Sequence, residues 1–593
     1  MTQLALDHAL RLSVAAARGR RAPLVVEGDA KRSVERARRR LTVAAGLFAF
    51  AFLVVAVRVA ELALGGDVAP RTGQAWSAAA TTTARADIVD RNGVLLAANL
   101  PTASLYANPE KIIDLEEAAR GLASVLPGTD EAQLLKRLRE GRSFVWVRRG
   151  LSPAQQAAVH ALGLPGLEFL HEERRVYPQG DLLAHVLGFT DIDNQGIAGL
   201  EKTLDAELRR RALAGEGPLA LGIDVRVQQV LRDEIQASID TFKAKGGVGV
   251  VLDVKSGEVV ALASLPDFNP NRPAGASQEA RFNRATLGVY EMGSIFKVFT
   301  VASALDSGTV DLSGGFDASH PIRVARYTIS DSHAKNRWLS VPEIFIYSSN
   351  IGSAKMALAM GGDLQQAYLR RLGLLTPVGL ELPEMGQPMM PRPWREISTM
   401  TVAFGHGIAV SPLQTATAFA AVVNGGTLLQ PTLLKNQSGV APEGQRVLSQ
   451  QTSDRMRALL RLVVVAGTGK AANVEGYQVG GKTGTAEKAS AAGYQRNALL
   501  SSFIGAFPMD DPRYVVLVTL DEPKGTKETY GYATGGWTAA PTVSRIIARM
   551  APLVGLAPTE PAVGADAVVP ALEPELESVL AEGGATLASL TTP

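Results

Sequence analysis

The chain has 593 residues, 46% of them hydrophobic and 20% charged, which is ordinary globular composition and enough length for two to four domains. Its 60 basic and 58 acidic residues nearly cancel, which excludes a general nucleic-acid binder with the usual basic excess. It contains no cysteine, so disulfides and thiolate metal sites are excluded too.

Residues 1–40 are polar and basic, ending in Arg36, Arg38, Arg39 and Arg40. An apolar run follows from Leu41 and extends to Leu64 if Arg58 and Glu61 are tolerated near its end. About 20 apolar residues suffice for one transmembrane helix. Basic residues crowd only its N-terminal side, so the positive-inside rule places the N-terminus in the cytoplasm and the rest outside. A cleaved signal peptide fits less well, because the segment before the run is too long for an n-region. Residues 65–84 are small and polar and read as a linker.

Residues 85–215 read as one module. Asn92-Gly93 between apolar alternations predicts a hairpin turn. Arg85, Asp87, Asp90 and Arg91 alternate in sign, which predicts a structural salt-bridge cluster. Residues 110–165 carry Leu and Ala at helical spacing, with a Ser152-Pro153 start. Arg175, Tyr177 and the glycine-rich approach to Glu201 look like a second piece of the same module.

Residues 216–555 change character. Gly249–Asp253 and Val259–Ala263 read as strands around a Lys255-Ser256-Gly257 turn. An apolar helix carrying Ser294 follows, and Val341–Met360 reads as another helix. Tyr477–Ala486 is a glycine-broken strand, Ser502–Phe507 and Tyr514–Leu520 are further strands, and Pro541–Met550 is a closing helix. Strands before and after a helical middle predict an α+β domain, an antiparallel sheet flanked by helices. Residues 556–593 are rich in Ala, Pro and Glu and lack aromatics, the composition of a disordered tail.

Ser294 and Lys297 are i and i+3, so on a helix they share a face. A serine opening a helix is also an ordinary N-cap, and Ser-x-x-Lys is short enough to recur by chance. It does recur, at Ser332–Lys335, but in a polar loop. A reactive serine needs a base. There is no Gly-x-Ser-x-Gly elbow, and His185, His333 and His406 are scattered and read as structural. A lysine can serve if burial or a neighbouring cation lowers its pKa. Lys297, in an apolar first turn, fits, and Lys482 would add a cation if its strand borders the cleft. Lys482-Thr483-Gly484 also suits a recognition edge, with the hydroxyls of Thr483 and Thr485 able to bind a carboxylate. The Ser348 hydroxyl could relay a proton, and the Asn350 amide could hold Lys297 and a substrate carbonyl. No metal motif and no cofactor requirement emerge.

The order Ser-x-x-Lys, Ser-x-Asn, Lys-Thr-Gly is specific where each piece is weak. By it the chain resembles the penicillin-binding protein and serine β-lactamase superfamily. Arg85–Ala97 and Arg175–Glu201 resemble the N-terminal pedestal of class B penicillin-binding proteins. Tyr290–Ser294, Asn283-Arg284 and Phe404–Gly407 followed by Ser411–Gln414 look most like the division-specific branch. Ala86, Met292 and Ile295 depart from residues frequent in the family without removing a reacting group. The resemblance implies a peptidoglycan D,D-transpeptidase in which Ser294 forms an acyl-enzyme with a D-Ala-D-Ala stem peptide. Lys297 takes its proton, Ser348 protonates the leaving group, and the N–H groups of Ser294 and Thr485 form an oxyanion hole. It implies catalytic roles for Asn350 and Lys482, substrate contacts for Thr483, Gly484 and Thr485, and structural or partner roles for Arg85, Asp90, Arg91, Gly93, Arg175, Tyr177 and Glu201. It further implies inhibition by β-lactams, an FtsW-like polytopic glycan polymerase among the partners, and a cytoplasmic-membrane location with the catalytic domain outside. A β-lactamase would need a deacylating base that no spacing supplies, and the pedestal is too short for a glycosyltransferase domain. An elongation-type transpeptidase and a catalytically silent β-lactam-binding scaffold are the remaining rivals.

Overall fold

The computed structural model describes residues 42–43, 45–56, 84–324, 327–490, 493–558 and 581. The basic tail at 1–40, nearly all of the linker at 65–84 and most of the tail at 556–593 lie outside the described residues. The chain divides into two compact units, Met1–Ala78 and Ala79–Pro593. In the first, the described residues between 42 and 56 are helical, and Leu47, Phe48, Phe50, Phe52 and Leu53 are exposed. Among the described residues no helix is long and apolar enough to cross a membrane. The continuation of the apolar run to Leu64 lies outside them.

The second unit opens with a five-stranded sheet built around Leu95–Ala107. Ile88–Val89 pairs with it antiparallel across a turn in which Gly93 has φ +86°, a conformation that glycine adopts without steric cost. Asp90 ties this turn, accepting from the N–H groups of Asn92 and Val94 at 2.8 Å and of Val225 at 3.1 Å. The stretch expected to be helical throughout holds three helices, Leu115–Val125, Glu131–Glu140 and Pro153–Ala161, but also a strand, Val145–Leu151. There Val145 and Trp146 pair with the central strand, so β-branched and aromatic side chains prevail over the neighbouring helical spacing. Ser152 starts the third helix with a reciprocal capping box to Gln155.

The alternating charges do not pair with one another. Arg85 is buried on Glu201, with Nε to Oε2 at 3.0 Å, and also contacts Asp205. Arg175 reaches the other carboxylate oxygen of Glu201 at 2.6 Å. Arg91 pairs with Glu258, in the following domain. Tyr177 is buried beside this group; burial first, and then the Glu201 charge, push its phenol pKa up.

The following domain is an all-antiparallel five-stranded sheet. Its strands are Gly246–Asp253 (β1), Val259–Leu265 (β2), Gly480–Ser490 (β3), Gly493–Phe507 (β4) and Tyr514–Asp521 (β5), in the order β3-β4-β5-β1-β2. Helices Val225–Phe242 (α1) and Ala539–Leu553 (α5) pack on it, and Phe296–Asp306 (α2), Val341–Ile346 (α3) and Asn350–Met360 (α4) pack on one another beside it. Period-two alternation divides β1 between two cores. Val248, Val250 and Leu252 join Phe296 and Phe299, whereas Val251 joins Leu231, Ile235 and Ile547. A Cβ on Gly249 would lie 2.5 Å from Ile235 Cδ1 and 2.6 Å from Leu231 Cδ1, so the glycine lets α1 seat against the sheet. Helix α2 is buried on every side from Phe296 to Leu305, the mark of a central helix. Phe296 and Phe299 meet edge to face at 5.4 Å, worth about 0.5–1.5 kcal/mol beyond burial. Strand β3 is at the sheet edge, leaving one side of its backbone free for pairing.

Candidate active site

Ser294 does not cap a helix. It lies in a 3-10 turn, Gly293–Ile295, which runs into α2 and has no side-chain cap. Gly293 has φ +56°, and a Cβ there would fall 2.6 Å from the Thr485 carbonyl oxygen. The turn is therefore pressed against β3, which sets the serine beside the free strand edge. Gly293→Ala is expected to push turn and strand apart. Displacement of reacting groups by about 1 Å can cost 10²-fold in rate. Benzylpenicillin acylation of this variant should fall by about that factor while its circular dichroism is unchanged, and an unchanged acylation rate would refute the account.

Lys297 is fully buried. Its Nζ lies 3.0 Å from Ser294 Oγ, 3.0 Å from Ser348 Oγ, 2.7 Å from Asn350 Oδ1 and 2.5 Å from the Ser348 carbonyl oxygen. Burial, and next the charge on Lys482, hold its pKa well below the ordinary lysine value; Asp331 works weakly the other way. A neutral amine suits this shell. It can donate to the Ser348 carbonyl and Asn350 Oδ1 and accept the Ser294 hydroxyl proton. Lys482 is also fully buried, donates to Ser348 Oγ at 3.0 Å, and is pushed down to about 7 by burial. Ser348 thus touches both lysines.

The helix expected from Val341 to Met360 is broken at this point. Helix α3 ends at Ile346 and α4 begins at Asn350, with Ser348 between them at φ +57°. Left-handed backbone is uncommon for a non-glycine residue and recurs at functional sites. It turns both the hydroxyl and the carbonyl of Ser348 to Lys297. Ser349 caps α4 by accepting from Gly352 N at 3.0 Å. Asp331, which the sequence did not single out, holds the break: it accepts from Ser349 Oγ at 2.7 Å, Asn350 N at 2.6 Å and Ile351 N at 3.0 Å.

Thr483, Gly484 and Thr485 follow Lys482 along β3. The Thr483 hydroxyl meets that of Thr468 at 2.8 Å, Thr485 Oγ1 accepts from Gly535 N at 3.1 Å, and Gly484 lies against the Met292 carbonyl. A cleft of about 750 Å³ is lined by Ser294, Ser348, Asn350, Thr483 and Thr485. His333 and His406, read as structural from sequence, line it too, as does Ser332 of the second Ser-x-x-Lys copy. Only His185 is buried away, its Nε2 2.9 Å from the Ala280 carbonyl. Arg85, Asp90, Arg91, Gly93, Arg175, Tyr177 and Glu201 are not among the residues lining the cleft and belong to the pedestal and its junction.

The model for the penicillin binding protein transpeptidase domain matches residues 247–548. The chain belongs to the penicillin-binding protein transpeptidase family. The penicillin-binding protein dimerisation domain matches residues 80–212. Among similar proteins is the probable peptidoglycan D,D-transpeptidase FtsI of Caulobacter vibrioides, 42% identical over 93% of this chain and 92% of the relative. Peptidoglycan D,D-transpeptidase FtsI of Escherichia coli is 32% identical over 79% of this chain and 83% of the relative. The apo transpeptidase domain of Burkholderia pseudomallei penicillin-binding protein 3 superposes with a TM-score of 0.52 at 32% identity, covering 57% of this chain and 98% of that one.

Proposed function

We propose that the chain is a serine D,D-transpeptidase that cross-links peptidoglycan stem peptides, and that it acts in septal wall synthesis. The observation that carries the chemistry is Lys297, buried between the hydroxyls of Ser294 and Ser348 beside a second buried lysine. Ser294 Oγ attacks the carbonyl between the two terminal D-alanines as its proton passes to Lys297 Nζ. The N–H groups of Ser294 and Thr485 stabilise the oxyanion, a donor of this kind being typically worth about 3 kcal/mol. Ser348, in contact with both lysines, returns a proton to the departing D-Ala nitrogen. The donor peptide adds to the free edge of β3, with its carboxylate toward Thr483 and Thr485. An amine from a second stem peptide then displaces Ser294 and closes the amide cross-link, and β-lactams trap the same ester.

Relatives named FtsI support the septal assignment. The apolar run from Leu41, helical and exposed where it is described, supports a single membrane anchor, with the catalytic domain on the outer side of the cytoplasmic membrane. The pedestal would then serve division partners, an FtsW-like polymerase among them. Intact mass of the full chain in detergent after benzylpenicillin treatment tests the reaction. A covalent adduct that persists for hours is expected. Rapid loss of the adduct would mean a β-lactamase, and no adduct would refute Ser294 as an acylated nucleophile. Filamentation on depletion is expected for a septal enzyme; rounded cells would transfer it to wall elongation.

A further inference from the structure

The loop joining β5 to α5, residues 522–538, carries an aromatic cluster that the mechanism does not use. Tyr530, Tyr532 and Trp537 are 79%, 55% and 41% exposed. The Tyr532 and Trp537 rings lie nearly parallel with centroids 5.8 Å apart, and Tyr530 meets Trp537 edge-on at 5.9 Å. Large apolar side chains exposed together, rather than singly, mark interaction sites. The loop holds its own shape: Gly531 N donates to the Thr526 carbonyl at 2.9 Å and Tyr532 N to the Thr529 carbonyl at 2.9 Å. Tyr530 has φ +52°, a left-handed backbone that is rare for a bulky side chain and recurs at functional sites. Gly535 N donates to Thr485 Oγ1 at 3.1 Å, and a Cβ on Gly535 would fall 2.5 Å from the Gly484 carbonyl oxygen. That glycine seats the loop on β3, and Gly536 and Trp537 line the cleft.

The transpeptidase reading says what passes this loop. The donor carboxylate lies at Thr483 and Thr485, so the departing D-Ala leaves from that end. The attacking amine takes the place of the departing nitrogen, and the acceptor therefore enters past Thr483, beside Gly536 and Trp537. Acceptor stem peptides hang from glycan strands of N-acetylated sugars. A sugar ring has a face of C–H groups and a rim of hydroxyl and amide groups. Aromatic faces suit the first, and phenol hydroxyls and an indole N–H suit the second. Among the described residues neither phenol hydroxyl nor Trp537 Nε1 has a hydrogen-bond partner. The three side chains carry no charge, which suits neutral sugars over the carboxylates and ammonium groups of a stem peptide. We propose that Tyr530, Tyr532 and Trp537 form a platform on which sugar rings of the acceptor's glycan strand stack. The platform holds that strand at the mouth of the cleft while its stem peptide reaches the acyl-enzyme.

The inference rests on the transpeptidase reading, and two readouts keep the two apart. In the first, full-length protein in detergent, with and without bound benzylpenicillin, is given the neutral tetramer of N-acetylglucosamine. Saturation-transfer NMR should reach the sugar ring protons, and Tyr530→Ala, which removes the most exposed ring and spares the core, should weaken the transfer. Trp537→Ala should abolish it and Trp537→Phe should keep most of it. In the second, a stem-peptide thioester donor is offered two acceptors that differ only in whether the stem peptide carries its disaccharide. Cross-linked product is followed by mass and normalised to benzylpenicillin acylation of the same variant. The disaccharide-bearing acceptor should be favoured by about fivefold or more, through KM, and Tyr532→Ala and Trp537→Ala should each shrink that preference. Equal use of the two acceptors by the wild type, a preference that survives Trp537→Ala, or sugar saturation that does not depend on these rings overturns the proposal. No product from either acceptor, or no benzylpenicillin adduct, overturns the transpeptidase reading instead, and the tetramer measurement, which needs no turnover, then decides the platform alone.

Discussion

Ser294→Ala is expected to form no covalent adduct with benzylpenicillin, and Lys297→Met is expected to slow adduct formation by about 10²–10⁴-fold, the usual contribution of a positioned base. Methionine approximates the shape of the buried lysine stem, so the Lys297 variant should remain folded. The wild-type rate should rise with pH and level off well below the ordinary lysine pKa. The direction follows from the site: only neutral Nζ can accept the serine proton, and burial together with the Lys482 charge favours the neutral form. Lys482→Met removes that charge, so the pKa of Lys297 rises and the ascending limb moves to more alkaline pH. Stopped-flow acylation across pH measures all three. A limb that does not move in Lys482→Met would mean the two lysines are not coupled.

The second large effect belongs to the pedestal. Glu201 is fully buried and accepts from Arg85 Nε at 3.0 Å and from Arg175 Nε at 2.6 Å. Its backbone carbonyl also takes Arg85 Nη2 at 2.8 Å. Glu201→Ala leaves two guanidinium groups buried without their carboxylate, a change of about 3–5 kcal/mol. Hydrogen exchange of the Leu95–Ala107 and Leu167–Val176 strands should accelerate accordingly. Acylation by benzylpenicillin should change little, since none of these residues lines the cleft. Protection factors within about 1 kcal/mol of wild type, the range of an exposed pair, would remove the triad from the account of pedestal stability.

The parts of the site legible in the sequence were those whose chemistry sits within a few residues. Ser294 and Lys297 face each other because they are one turn apart, and Lys482–Thr485 reads as a strand with a polar edge. The left-handed backbone at Ser348 was not legible, because serine carries no preference for positive φ and the surrounding spacing is helical. Nor was Asp331, whose role depends on a loop returning to a helix start 19 residues away. The same holds for Arg85, whose carboxylate partners lie 116 and 120 residues further on. His406 looked structural because its partners, Glu291 and Tyr494, are assembled from three separate segments. The strand Val145–Leu151 did carry a local signal in its β-branched and aromatic run Val145-Trp146-Val147, but one masked by helices on either side.

The two buried lysines also have a consequence for the whole fold. In the unfolded chain each would bind a proton up to the ordinary lysine pKa, whereas in the folded chain Lys482 releases its proton near 7 and Lys297 well below the ordinary lysine value. Between those values the unfolded state holds more protons than the native state, so stability increases as pH rises and is lost on acidification toward neutrality. Folding therefore expels protons from the catalytic centre. The centre is a proton-linked weak point, and the same burial that makes Lys297 a base is a free-energy debt carried by the native state below pH 7.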